Sequence, residues 1–395
     1  MAGCEVHWQD MRRSANRILT THCGSLPRPK DLLDLMKARL EGRPGDEQAY
    51  EARVRRAVEE IVKQQVESGI DIPTDGEQGK PGFFAYVRER LEGFEARPEA
   101  HFPRFTAETE AFPEYYAEYM GRAMTGAAVA AIVPLVCTGP VRYRGEEAVR
   151  RDIDNLKAAL ARATVEDVFM PSVAPSGVGF NEYYRSEEEY FAAVGAAMRH
   201  EYRAIVDAGF VVQIDDPFLT EIFSRPGVSP AERRRSAEMW VEALNHALAG
   251  IPPEKIRFHT CYGINEGPRV YDAPLKDIVD VMLKIDAGAY SFEAANARHE
   301  HEYHVWEDVK LPEGKALIPG VITHASNIVE HPELIAERIV RYAERVGREN
   351  VIAGSDCGFS SQATYHPEVH PTVMWAKFRA MAEGARLASK RLWSK

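Results

Sequence analysis

Apolar, β-branched runs alternate with amphipathic helical stretches along the whole chain, and this alternation restricts the fold more than any other feature. Eight runs have strand length, at about 18–25, 69–76, 167–174, 209–215, 255–262, 288–293, 316–322 and 350–356. They are almost continuously apolar, as parallel strands covered on both faces should be. Helical periodicity fills the intervals, over 30–68, 146–163, 186–208, 230–249, 275–285, 332–346 and 371–390. Eight βα units predict one (β/α)8 barrel over 18–395, preceded by a polar leader at 1–17. An open doubly wound sheet would want a glycine-rich phosphate loop after its first strand, and TTHCGSLPRP has no such form. Residues 95–130 show weak periodicity and are expected to form an insertion. Ile132 to Gly145 is expected to add a strand or hairpin.

A chain of 395 residues can bury one large core. Its net charge of −11 argues against nucleic acid or an anionic membrane as the main partner. No run approaches the roughly 20 apolar residues of a membrane span, and the polar N-terminus lacks an apolar signal core, so a cytoplasmic location is expected. Five cysteines, an odd and sparse set, do not make a disulfide framework.

The polar groups with chemical potential fall at the C-terminal ends of the expected strands: Gly24 and Ser25, Glu77, Asp215, His259 and Cys261, Glu293, and Cys357. In a barrel those ends meet on one face, where active sites are built. His259 and Cys261 are two apart, so on a strand both point the same way. Imidazole, thiolate and carboxylate are the donors zinc prefers. The expectation is one zinc held by His259, Cys261, Glu293 and Cys357. A site with two cysteine ligands is electron-rich and suits a substrate thiol bound as thiolate. The histidine-rich run His299 to His304 is expected to be a solvated loop or a lid.

Several of these motifs together resemble the catalytic barrel of the cobalamin-independent methionine synthase family. TTHCGSLPRP is similar to its first-strand TIGSFP motif, TDGEQGKPGFF to its HGE motif, VVQIDDP to QIDEP, HTCYG to HxCY and SDCG to PDCG. The resemblance spans about 18–390. It implies a fold of that family's barrel type, the zinc set already named, and transfer of a methyl group to homocysteine. It further implies that Ser25 binds the carboxylate of homocysteine, that Glu77 and Asp215 hold its ammonium, and that Gly24 belongs to the same loop. The family's YDIHS histidine corresponds to ITHAS, which makes His324 the candidate proton donor, displaced by one residue. At the position of the tryptophan that stacks on the folate pterin stands Val178, so a folate donor is not implied. The implied partners are a small-molecule thiol and an alkyl donor.

A second family shares the pattern, the zinc-dependent epoxyalkane:coenzyme M transferases. A sulfonate-bearing thiol would want cations, and Arg28 and Lys80 lie near the right strand ends. A zinc- or thiol-binding protein without turnover is the alternative of another class.

Overall fold

A strand covered on both faces needs side chains that pack in both directions, and the runs beginning at 167, 209, 255, 288 and 316 supply them. The computed structural model describes residues 11–43, 45, 47–99, 105–121, 128–130, 133–263 and 267–394. In chain order the strands are β1 (Leu91–Ala96), β2 (Leu135–Tyr143), β3 (Phe169–Val173), β4 (Phe180–Asn181), β5 (Val211–Asp215), β6 (Ile256–His259), β7 (Ala289–Phe292), β8 (Ala316–Ile322) and β9 (Gly354–Ser355). The large sheet is parallel throughout, in the order β3-β5-β6-β7-β8-β9. Each crossover carries helical structure, so consecutive strands are also spatial neighbours.

The two edges of this sheet are joined by the first two expected strands, which pair more sparsely than expected. Thr20 bridges Ala353 and Thr21 bridges Ile72, both in parallel. The Phe169 amide then donates to the Pro73 carbonyl at 3.3 Å. This completes an eight-stranded ring of the expected kind, although two of its staves make single bridges instead of ladders.

The ring is filled, not hollow. Leu19, Ile72, Phe169, Val211, Ala289, Ala316, Ile318 and Ile352 pack together inside it, with Met11 against them from the leader. Residues 11–17 therefore belong to the barrel floor. Ser14 is buried and donates to the Val351 carbonyl at 2.6 Å, and Arg17 grips Asp71 at 2.6 Å. Above this layer lies fully buried Arg257. Its guanidinium sits 3.9 Å from the Phe169 ring centre and donates to Thr21 Oγ1 and the His22 carbonyl.

The helices over Glu146–Leu160, Glu187–Asp207, Pro230–Leu248, Pro332–Val346 and Pro371–Trp393 match the periodic stretches. The expected helical region 30–68 is two helices, Lys30–Leu40 and Glu47–Glu67, and that at 275–285 shrinks to a 3-10 turn and Val279–Met282. The helix expected after TDGEQGKPGFF is only Val87–Arg90, because the chain turns at once into β1. β1 pairs antiparallel with β2 through a bulge at Gly93, whose φ of 91° and approach to the Pro140 carbonyl exclude a side chain. The excursion thus opens on a sheet, and its described part continues as two short helices, Thr106–Ala111 and Pro113–Tyr119. No described helix is long and apolar enough to cross a membrane.

Candidate active site

Strand parity carries side chains to the barrel mouth. Leu19, Thr21 and Cys23 alternate inward on the first strand, as do Val211, Gln213 and Asp215 on β5, and Arg257, His259 and Cys261 along β6 and just beyond it. Asp215 pairs in register with His259, and His259 with Ser291. One pocket at this end is walled by Cys23, Ser25, Glu77, Asp215, His259, Cys261 and Cys357. Six of the nine expected site residues, Ser25, Glu77, Asp215, His259, Cys261 and Cys357, therefore share a cavity.

His259 is buried, and its Nδ1 lies 3.1 Å from Ser291 Oγ. Its Nε2 is buried with no hydrogen-bond partner. Burial, with Arg257 and His324 nearby, pushes its pKa down to about 3, so the ring is neutral and Nε2 is free to act as a donor to a ligand. Around it stand thiols, not disulfides. Cys261 Sγ lies 3.2 Å from Cys357 Sγ. The ligating atoms of Cys23, His259 and Cys357 lie within 4.8 Å of one another, a group able to hold a metal ion. Ser355 fixes this arrangement, since its hydroxyl accepts the Cys23 amide at 3.1 Å and donates to the Cys357 carbonyl at 2.9 Å.

Cys23 had no role in the expected set. The signal was present in the sequence, because its period-two phase from Leu19 and Thr21 aims it inward at a strand end.

Glu293 and His324 lie outside the pocket wall. With Asp356 they form a second buried group. Glu293 is already engaged: one oxygen accepts the Tyr262 amide at 2.8 Å, the other accepts Asn296 Nδ2 at 2.8 Å and Arg298 at 3.0 Å. His324 is buried, and burial lowers its pKa.

The same pocket is lined by two buried carboxylates, Glu77 and Asp215, the latter on the strand next to His259. Burial first, and then the neighbouring Glu77 charge, holds the Asp215 carboxyl well above the usual range. Burial likewise raises Glu77. Glu77 Oε2 is buried without a partner, while Oε1 has only Lys80 at 3.7 Å. The Glu77 backbone is held at φ 55°, a left-handed conformation that a non-glycine residue adopts at a cost of about 1–3 kcal/mol and that clusters at functional sites. Gly24 sits at φ 131° with Pro171 only 2.8 Å from where a Cβ would stand, so it shapes the loop that delivers Ser25. Ser25 Oγ is 3.3 Å from Ser361 Oγ.

Arg28 and Lys80 are not solvated but buried, and they donate to groups inside the protein. Arg28 donates to the carbonyls of Leu26, Glu77, Lys80 and Ser360. Lys80 Nζ donates to the Pro171 carbonyl at 2.7 Å. Neither lines the pocket. Val178 is fully buried and also off the pocket wall, whose apolar part is Phe83, Phe105, Phe218 and Tyr262. The histidine run departs from a solvated loop at its first residue. His299 is buried, stacks on Tyr262 at 4.0 Å and pairs with Asp272 and Glu302, whereas His301 and His304 are exposed.

The sequence profile of a family described as the catalytic domain of cobalamin-independent synthase matches residues 18–155 and 157–378. Methionine synthase of Sulfolobus acidocaldarius is 24% identical over 343 residues, covering 86% of this chain and 85% of its own. That of Saccharolobus solfataricus is 24% identical over 385 residues, covering 94% and 95%. Among solved structures, a B12-independent methionine synthase from a Shewanella species, in complex with selenomethionine, superposes with a TM-score of 0.72 at 19% identity, covering 96% of this chain and all of that one. A vitamin-B12-independent methionine synthase from Listeria monocytogenes, described as putative, gives 0.65 at 18% identity, with 94% and 98% covered.

Proposed function

The chain belongs to the cobalamin-independent synthase family defined by its catalytic domain, and from that premise we propose that it transfers a methyl group to the sulfur of homocysteine at a zinc-dependent site. The observation that carries this reading is one pocket that gathers two kinds of group. Sulfurs and the unpartnered Nε2 of His259 line it together with two buried carboxylates, Glu77 and Asp215.

The residues fit the metal. A neutral imidazole oriented by a serine, beside closely spaced thiols, is a zinc donor set. His259, Cys261 and Cys357 would hold the ion, with Glu293 behind them. Bound there, zinc lowers the pKa of a coordinated thiol, so a thiolate nucleophile exists at neutral pH.

The protein's own groups supply position. Glu77 and Asp215 accept the ammonium of the amino acid through charge-assisted hydrogen bonds. Its arrival supplies positive charge to two carboxylates whose pKa values are both raised by burial. Ser25 accepts the role of carboxylate donor, on a loop fixed by Gly24. The anchored thiolate sulfur then forms the new S–C bond while the donor–methyl bond breaks, and the departing electron pair stays on the donor. The apolar wall of Phe83, Phe105 and Phe218 excludes water from that encounter. Among the described residues the pocket's one lining cation, Arg269, is spent on Glu108, the Tyr262 carbonyl and Asp272, which disfavours a sulfonate thiol. These partners are small molecules, and we place the reaction in the cytoplasm.

Titration calorimetry with homocysteine and with coenzyme M on the zinc-loaded protein tests the acceptor. Homocysteine binding with no coenzyme M binding is expected. The reverse would overturn the reading and favour the epoxide-opening chemistry.

A further inference from the structure

We infer that Cys23 completes the zinc site when no substrate thiol is present, in the place expected for Glu293. The inference rests on the zinc reading above and names a ligand that the reading does not require.

Three observations converge. Cys23, His259 and Cys357 bring their ligating atoms within 4.8 Å of one another, and Cys261 adds a fourth donor 3.2 Å from Cys357. The Nε2 of His259 is buried and unpartnered within this group, so the group has a polar atom that nothing among the described residues satisfies. Glu293, by contrast, already accepts three hydrogen bonds, one from an arginine. Its Oε2 is taken by Asn296 and Arg298 and its Oε1 is shared with the Tyr262 amide, and its carboxylate groups with His324 and Asp356 instead of with the thiols. Cys23 gives up only a thiol contact with Cys357.

The strand geometry explains why Cys23 is held ready. Its amide is tied to Ser355, whose hydroxyl also holds the Cys357 carbonyl, so the two cysteines are fixed by one side chain. Gly24 follows at φ 131°, which turns the chain away immediately after the sulfur. Ligation by Cys23 releases its thiol proton to solvent, as metal binding by thiols generally does. Three thiolates and one imidazole leave no open position, so an incoming thiol must displace a ligand. Cys23 is the one that borders Ser25, the residue proposed to hold the substrate carboxylate.

Zinc X-ray absorption on the thiol-free holoprotein counts the sulfurs. Three sulfurs and one nitrogen are expected for the wild type, two sulfurs for Cys23→Ser, and three still for Glu293→Gln. Competition with a chelator gives a second measurement. Glu293→Gln should weaken zinc binding by no more than the roughly 10–100-fold of a lost outer partner, and Cys23→Ser by more. Two sulfurs in the wild type, unchanged in Cys23→Ser, would overturn the inference while leaving zinc on His259, Cys261 and Cys357 intact. Failure of the wild type to hold stoichiometric zinc would instead sink the zinc reading itself. The wild-type sulfur count stands even if a variant does not fold.

Discussion

At the scale of single residues, the site is a set of groups waiting for opposite charge. Glu77 and Asp215 are buried together; burial raises both carboxyls, and the Glu77 charge raises Asp215 further, more than the cationic Lys80 offsets. A ligand ammonium supplies the opposite charge. Glu77→Gln should therefore cost about 1.5–3 kcal/mol of binding to the amino acid thiol, since hydrogen bonds to charged groups are of that size. In steady-state assays this is a fall of roughly ten- to hundredfold in kcat/KM for homocysteine. An unchanged kcat/KM would remove Glu77 from the ammonium site. Gly24→Ala makes a structural counterpart. A Cβ there meets Pro171 at 2.8 Å in a backbone conformation unsuited to alanine, and overpacking of this kind costs about 1–3 kcal/mol. Urea unfolding should show that loss together with a weakened thiol affinity.

At the scale of elements, the loop after β7 sets the shape of the rear wall. Tyr262 stacks on His299, which bridges Asp272 and Glu302. Burial opposes the imidazolium, but the hydrogen bonds to Asp272 and Glu302 outweigh it and raise the pKa to about 9. A histidine whose folded pKa lies above its unfolded value stabilises the fold fully below about pH 6.5, and that contribution is lost as pH rises through about 9. Between those limits the wild type should lose on the order of 3 kcal/mol that His299→Gln does not lose, measured as the difference in urea midpoints at pH 6 and pH 9.5. Equal midpoint shifts in the two proteins would contradict a charged His299.

Legibility in the sequence followed the same elements. Barrel strands with both faces apolar were readable because burial on both sides writes a continuous pattern. The strand-end residues His259, Cys261 and Cys357 were readable from donor chemistry and phase. β1 was hidden, since LEGFEA follows a helical turn and its pairing depends on Gly93 and a partner some forty residues away. The state of Glu293 was hidden as well: nothing in AYSFE announces that Arg298, Asn296 and the Tyr262 amide converge on its carboxylate. Arg28 and Lys80 read as cations available to a sulfonate because their partners are largely carbonyls, which carry no sequence signature.

For the whole molecule, the metal would tie together residues from the first, the fifth and the last barrel strands. Metal that binds only the folded state stabilises it by about 2.7 kcal/mol at a free concentration of a hundred times Kd. One zinc per chain should survive dialysis, and chelation should lower the thermal midpoint. Cys357→Ser should lose both the metal and the shift, as read by metal analysis and scanning calorimetry. Zinc retained at full stoichiometry in Cys357→Ser would exclude this site.

The closure of the ring through single bridges, Thr20 to Ala353 and Thr21 to Ile72, also fixes when during synthesis the site can come into being. Cys23 leaves the ribosome more than three hundred residues before its fixed neighbours Ser355 and Cys357. At roughly 5–20 residues per second, tens of seconds pass before the two sides of the seam can meet. Until then a nascent chain holds His259 and Cys261 without the Cys357 sulfur. Metal capture waits on residue 357, and a translation product stalled before it should bind no zinc in this geometry.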